Sequence, residues 1–499
     1  MTRKPKMTVV PFLTLKFESG SQSLYRGLYE GLREAILTGR LAAGVQLPST
    51  RSLAAQFNIS RSTVVNAYEQ LYAEGYITGK TGAGTFVAAT LPEDSLETRQ
   101  QILPKPKEPA ALRENDLAER GKRLLTKTAP VMRLYQNKIL SAFQHGVPAL
   151  DEFPFELWAK LTARRWRNQP RELVGYGDPA GYRPLREAIS AYLKAARAVN
   201  CQPEQVIVVA GAQQALDLAA RVLLNAGDAM WIEDPCYNGA RAAFAAAGAK
   251  LVGVPVDTEG LKLNEAIKGG EPGKCVYITP SRQFPLGATM SLPRRLALLE
   301  WANQAGAWII EDDYDSEYRY AGRPLAALQG LDKNGRVIYV GTFSKTVFPG
   351  LRLGCLVVPP SLVEVFSAAR FISDWHSSLV DQAVLTDFIV EGHFARHVRR
   401  MRSLYKERQE ILVAETKRKL AGLLDVAPAE AGMHLVGWLP EGICDQAAAK
   451  RAAAHGVEVT PVSSYRLSKI CDNGLLLGFA AFDETQIKDG VRRLAVALN

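Results

Sequence analysis

The sequence predicts a multidomain chain: a small N-terminal module, mostly α with a β-hairpin at its end, then a linker, then a large α/β domain that closes in a smaller α+β subdomain. Three observations carry this. The chain has 499 residues, more than one ordinary domain uses. Residues 21–90 show helix-spaced apolar positions followed by a Gly-rich hairpin signal. Beyond residue 130, short continuous apolar runs alternate with helical stretches, the pattern of a mostly parallel sheet buried on both faces.

Composition narrows the classes. Apolar residues make up 47% of the chain, enough for a sizeable core. The net charge is +10, and residues 1–90 hold ten Lys and Arg against five Asp and Glu, half of the whole excess. A basic excess held in one module suits a polyanionic partner, although a merely basic soluble surface would look the same by charge alone. The six cysteines form no CxxC pair, so a reduced protein without a disulfide framework is expected. No segment approaches the roughly 18 apolar residues of a membrane helix, and a cytoplasmic location without export is expected.

In the N-terminal module, Leu24, Leu28, Leu32 and Ile36 mark the inner face of a first helix, with Gly39 and Gly44 at its exit. Ser49 is placed to cap a second helix whose Leu53, Ala54 and Phe57 share a face. Asn58 tolerates the left-handed conformation that ends it. Ser60 caps a third helix, in which Val64, Tyr68 and Leu71 point inward. Arg61, Ser62, Thr63 and Asn66 are left outside, near the helix N-terminus. Two short helices with a tight turn form a helix-turn-helix, whose second helix lays N-terminal side chains against base edges in a major groove. Residues 76–87 then read as a hairpin with a Gly-rich tip, a wing. The plainer alternative is a helical dimerisation module with a polar outer face.

This stretch resembles the winged helix-turn-helix of the GntR family over residues 21–88, through LPSTRSLAAQF (47–57), SRSTVVNAYEQL (60–71), EGYI (74–77) and GAGTFV (82–87). The resemblance implies that Arg51, Arg61 and Thr63 touch double-stranded operator DNA, with Gly82 in the wing. Phosphate contacts would then supply affinity and base contacts specificity.

Residues 91–130 are rich in proline and charge and read as a linker. The large domain, residues 131–499, has β-rich runs at 206–209, 229–232, 251–254, 275–278, 308–310, 337–339 and 355–358. Ligands in such folds sit beyond the carboxyl ends of the strands, so the residues after these runs matter most. Lys345 follows one run in TFSK (342–345), with the Thr342 and Ser344 hydroxyls beside it and Arg352 downstream as a bidentate grip for phosphate. That is the context of a Schiff-base lysine. After another run come Asp312 and Tyr314, two residues apart: a carboxylate for a pyridinium nitrogen and a phenol for a ring oxygen. Gly211-Ala-Gln213 opens a helix after a strand, a ready phosphate site. Tyr237 is placed to stack on a ring, and TPSRQFPLG (279–287) forms another loop after a strand. Singly, each piece has a plainer reading: Ser-Lys pairs are common, acidic pairs after strands are usually solvated caps, and loop tyrosines usually pack.

Together, in this order, they resemble the fold-type I pyridoxal-phosphate enzymes of the aspartate aminotransferase class, over roughly residues 140–499. The resemblance implies pyridoxal 5'-phosphate as cofactor and Lys345 as its Schiff-base lysine. It implies Asp312 on the pyridine nitrogen, Tyr314 and Gln283 near the ring oxygen, and Tyr237 stacked on the ring. Ala212, Gln213, Thr342 and Arg352 would then hold the phosphate, with Ser344 also among the cofactor-binding residues.

The fusion of both halves resembles the MocR subfamily of GntR regulators, through the linker, EDDYDSE (311–317), PGLR (349–352), GHFARHVRRMR (392–402) and LLLGFA (475–480). That implies a bacterial, head-to-tail homodimeric transcription regulator, activator or repressor. Its effector would be an amine, an amino acid or pyridoxal phosphate itself. The C-terminal subdomain is placed from about residue 375. Arg282 stands where many relatives carry His, and Cys236 where Gly often precedes the stacking Tyr. LLLGFA lacks the arginine with which true aminotransferases grip an α-carboxylate, which argues against efficient turnover while leaving partial transamination open. Arg241 and Arg466 remain candidate effector contacts. The rivals are an active aminotransferase with an accessory DNA-binding module, and a cofactor-free protein with a decayed site. His393 and His397 have metal-ligand spacing, but the basic residues around them point to a helix face, so no metal is expected.

Overall fold

The computed structural model describes residues 24–80, 84–91, 116–128, 131–132, 141–168, 171–321, 325–467 and 473–499. The chain divides into two compact units, Met1–Arg113 and Glu114–Asn499.

In the first unit, α1 (Leu24–Leu37), α2 (Thr50–Phe57) and α3 (Arg61–Ala73) pack around Leu28, Leu32, Ile36, Leu53, Val64 and Leu71, all buried. Leu24, expected on the inner face, is 56% exposed, because the first turn of α1 overhangs this core, which begins at Leu28. Phe57 is only partly buried. Both predicted caps form: the Ser52 backbone N–H donates to Ser49 Oγ and the Thr63 N–H to Ser60 Oγ, each at 3.1 Å. Asn58 adopts φ 50°, ψ 46° and ends α2. The Tyr68 hydroxyl donates to the Pro48 carbonyl at 2.9 Å and ties α3 to the segment entering α2. β1 (Ile77–Lys80) pairs antiparallel with β2 (Gly84–Val87), and Gln46 bridges to Phe86, so the wing joins the helical body.

The second unit is built on an eight-stranded sheet in the order β3-β10-β9-β8-β7-β4-β5-β6. Its strands are β3 (Val206–Val209), β4 (Ala229–Asp234), β5 (Lys250–Asp257), β6 (Gly260–Leu261), β7 (Cys275–Ile278), β8 (Trp308–Asp313), β9 (Val337–Thr342) and β10 (Gly354–Val357). Every predicted run is a strand. β9, β8, β7, β4 and β5 run parallel, while β10 is antiparallel to both neighbours. Both faces are covered because both strand parities are apolar: Ile207, Ile232, Tyr277 and Ile310 face one helical layer, while Val208, Val276, Ile309 and Tyr339 face the others.

A smaller antiparallel sheet, in the order β11-β12-β14-β13, holds β11 (Asp425–Val426), β12 (His434–Trp438), β13 (Thr460–Pro461) and β14 (Gly474–Gly478). The helices His393–Lys419 and Glu484–Leu498 pack with it. None of these strands is among the predicted runs; two of the four, β11 and β13, have two residues each and are too short to show a period. Phe143, Ala149 and Tyr318 join this C-terminal core, whereas the helix Leu379–Val390 packs with the large sheet's helices. Within the stretch read as linker, Glu119–Arg123 and Leu124–Thr128 are helical and pack against the helix Asn238–Ala247. Cys201, Cys236, Cys275 and Cys355 are free thiols, but Cys444 is disulfide-bonded, which departs from the fully reduced expectation. Among the described residues no helix is long and apolar enough to cross a membrane.

Candidate functional site

The first unit presents a polar helix face. Arg61, Ser62 and Asn66 are exposed on the first turns of α3, Thr63 is half-buried beside them, and Arg51 is exposed on α2. Ser60 Oγ lies 2.8 Å from Ser62 Oγ and 2.7 Å from Thr63 Oγ1, so the cap also organises two of these side chains. Val64, Ala67, Tyr68 and Leu71 anchor the opposite face, leaving the outer one free to enter a groove. Gly82 lies outside the described residues.

The second unit contains a cavity of about 1060 Å³ at the carboxyl ends of the large sheet's strands. It brings together Ala212, Gln213, Tyr237, Asp312, Tyr314, Thr342, Ser344, Lys345 and Arg352 from four separate post-strand segments. Lys345 Nζ donates to the Gly146 carbonyl at 2.5 Å. Burial pulls its pKa down, against the opposing pull of Asp315 and Asp312, and so favours the neutral amine a nucleophile needs. Asp312, the penultimate residue of β8, is 4% exposed and accepts from the Tyr277 hydroxyl at 2.8 Å through Oδ2. Its Oδ1 is buried with no partner among the described residues. Desolvation lifts this carboxyl to about 7.

The opposite end of the cavity suits a dianion. The helix Ala212–Leu223 begins there with no side-chain cap at Gly211, whose φ is +86°, so its first N–H groups are available to an anion. Arg352, itself left-handed at φ 51°, donates to the Ala210 carbonyl at 2.8 Å. A Cβ on Gly211 would sit 3.1 Å from that guanidinium, so the missing side chain permits the approach. Gln213 Nε2 donates to the Gly239 carbonyl at 2.9 Å, fixing the wall next to Tyr237.

Three predicted residues do not reach the cavity. The Gln283 amide donates to the Pro235 and Phe284 carbonyls, each at 2.7 Å, and lies behind the wall. Its neighbour Phe284 lines the space instead. Arg241 donates to Asn238 Oδ1 and to the Arg466 carbonyl, and neither arginine is in the lining. His397 packs on Phe153 and burial lowers it to about 4, while His393 is 3.2 Å from Glu391. No metal-binding group occurs among the described residues.

The structure adds residues that no motif marked. His145, His434, Thr460 and Tyr465 line the cavity from the C-terminal side. The Tyr465 hydroxyl is 3.0 Å from His145 Nε2, and Thr460 Oγ1 is 3.2 Å from His145 Nδ1. A Cβ on Gly478 would lie 2.3 Å from the Gln144 carbonyl oxygen, and the Gly478 N–H donates to the Phe143 carbonyl. The glycine in LLLGFA therefore lets the 143–146 backbone lie flush against β14 and positions both His145 and the Gly146 carbonyl. Only the pairing of His145 with Gly146, just ahead of a proline-bounded turn, hinted at this loop in the sequence.

Two family models match the chain: "Bacterial regulatory proteins, gntR family" over residues 24–87 and "Aminotransferase class I and II" over residues 141–494. The probable rhizopine catabolism regulatory protein MocR of Rhizobium meliloti is 43% identical over 95% of this chain and 93% of its own length. The pyridoxine biosynthesis transcriptional regulator PdxR of Corynebacterium glutamicum is 31% identical over 92% of this chain and 93% of its own. Among solved structures, the α-aminoadipate aminotransferase LysN of Thermus thermophilus, complexed with N-(5'-phosphopyridoxyl)-L-leucine, superposes with a TM-score of 0.70 at 30% identity. That match covers 77% of this chain and 97% of LysN.

Proposed function

Because the chain belongs to the MocR-type regulators, with a GntR DNA-binding module and a class I and II aminotransferase domain in one polypeptide, we propose that it controls transcription by sensing a primary amine, an amino acid or pyridoxal phosphate itself at Lys345. One observation carries this reading. The second unit gathers a buried amine, an unpartnered buried carboxylate oxygen and an arginine beside an open helix start into a single cavity, while the first unit presents a capped recognition helix.

The donor set fits pyridoxal phosphate. Lys345 would carry it, the free Oδ1 of Asp312 would face the ring nitrogen, and Tyr314 the ring oxygen. Ala212, Gln213, Thr342, Ser344 and Arg352 would hold the phosphate, and Tyr237 would lie against the ring. When bound, the cofactor supplies an aldehyde carbon that amines capture covalently and a ring that withdraws electrons. The protein's part would be to lower the proton affinity of the Lys345 amine by burial, to pair charge at Asp312, and to present His145, Tyr465 and Thr460 to the rest of the ligand. Arg51, Arg61, Ser62, Thr63 and Asn66 would meet operator DNA, with the wing tip at Gly82 on the adjacent backbone. The regulator would work in the bacterial cytoplasm as a head-to-tail homodimer, with residues 1–90, 91–130 and 131–499 as DNA-binding module, linker and sensing domain. Sensing requires that the ligand favour one of two conformations of the whole chain.

The test is footprinting on DNA upstream of the protein's own gene and its neighbours, with and without pyridoxal phosphate and candidate amines. A protected, salt-sensitive tract whose extent changes with ligand supports the regulator. No protection, together with many turnovers on an amino donor and a keto acid, would replace it with an aminotransferase carrying an accessory module.

A further inference from the structure

Arg282 is 4% exposed, and each of its nitrogens has a defined task. Nε donates to the Ala431 carbonyl at 3.0 Å and Nη2 to the His434 carbonyl at 2.7 Å. Nη1 donates to the Tyr314 hydroxyl at 3.0 Å and lies 3.4 Å from Asp315 Oδ2. A Cβ on Gly432 would fall 2.2 Å from Nε, so the guanidinium lies flat against that glycine. Two of its three nitrogens thus hold backbone at the entry to the C-terminal sheet, and the third holds the phenol that lines the cavity.

A guanidinium has donors and no acceptor. The Tyr314 oxygen must therefore accept from Arg282, and its own single proton has to be given elsewhere. Without Arg282 that proton has a competing acceptor, the Asp315 carboxylate beside the guanidinium. With Arg282 in place Asp315 is engaged, and the open direction is the cavity. We propose that Arg282 is a positioning residue that makes Tyr314 a one-way hydrogen-bond donor into the cofactor pocket. The proposal rests on the reading of that pocket as a pyridoxal-phosphate site. Burial holds the Tyr314 phenol well above its ordinary pKa, so it stays protonated and able to donate. Phe284, which offers no polar atom, forms the adjoining wall with its ring 5.8 Å from that of Tyr314, and leaves Tyr314 as the donor there.

A donor at the ring oxygen stabilises the form that carries more negative charge, so it lowers the pH at which the Lys345-bound cofactor loses its proton. The charged groups around Tyr314 are Arg282, Asp315 and Asp312, with Lys345 facing the two aspartates and His434 beside Arg282. Removing Arg282 also removes a positive charge, which by itself would raise the same midpoint, so a single variant cannot separate the two effects.

The experiment is a pH titration of the visible absorption band of the full-length protein loaded with pyridoxal phosphate. It compares the parent, Arg282→Lys, Arg282→Met, Tyr314→Phe and the charge-keeping Arg282→Lys/Tyr314→Phe double variant. Arg282→Lys keeps the charge but not the three-way geometry, and it serves as the second probe should Arg282→Met fold poorly. The expected result is a midpoint raised by about one pH unit in Tyr314→Phe and in both Arg282 variants. The double variant should show no further rise over Tyr314→Phe, because Arg282 acts through the phenol. Additive shifts, or an Arg282→Lys midpoint equal to the parent's, would overturn the proposal. A parent that shows no band with pyridoxal phosphate would sink the cofactor reading itself.

Discussion

Asp312 is buried with one oxygen on Tyr277 and the other unpartnered, and desolvation raises it to about 7. Its unfolded value is about 3.9. A carboxyl raised in the folded state holds its proton more tightly there, so its stabilising contribution is full below about pH 4 and is lost as pH rises through about 7. Glu233, Glu311 and Glu317, also lifted to about 7, and Asp315, lifted to about 6, act in the same direction. Cofactor-free protein should therefore melt at a lower temperature at about pH 8 than at about pH 5, and Asp312→Asn should flatten that fall. Thermal denaturation across pH checks it, and an unchanged slope in the variant would show that Asp312 is not the titrating group. That Lys345, Asp312 and Tyr314 come together was readable in the sequence because they lie at or just beyond the carboxyl ends of strands, where ligands bind. Gln283 was misplaced because a polar residue in the same loop looked like a donor, when its amide supports the loop's own backbone. His145, His434 and Tyr465 were hidden because they reach the cavity from segments whose neighbourhood only the folded chain creates.

Among the elements, two small contacts have large leverage. Ser60 caps α3 and gathers the Ser62 and Thr63 hydroxyls. Ser60→Ala should cost the N-terminal module about 1 kcal/mol and weaken operator binding beyond that loss. The loss is read by denaturation and the binding by gel shift. Gly478 in β14 meets the backbone of Gln144 and His145. Gly478→Ala adds a methyl with no room, and overpacking of this kind costs about 1–3 kcal/mol. Weakened pyridoxal-phosphate binding should accompany it, since the Gly146 carbonyl of that loop accepts from Lys345 Nζ. A variant as stable and as tightly loaded as the parent would show that the loop does not depend on this contact. The helix caps and the large sheet's strands were legible because caps, apolar runs and turns are local signals. The small sheet was not, because strands such as Asp425–Val426 and Thr460–Pro461 exist only through their partners.

For the whole molecule, DNA affinity should be steeply salt-dependent, since contacts from a basic module release counterions. Arg61→Ala should weaken operator binding and make the slope of log K against log salt shallower by about 0.9. Titrations at several salt concentrations measure both. An unchanged slope with weaker binding would assign Arg61 to a base edge instead of a phosphate.

The two units also differ in when they can exist. The N-terminal core is complete within residues 28–87. The pocket's back wall waits for β14, since the loop carrying His145 and Gly146 is seated on Gly478. On the ribosome, the DNA-reading module is therefore finished while most of the sensor is still unmade. A premature stop anywhere between the linker and β14 would leave a fragment able to occupy operator sites but deaf to any ligand. For this architecture, nonsense alleles should behave as dominant competitors of the intact regulator instead of simple losses.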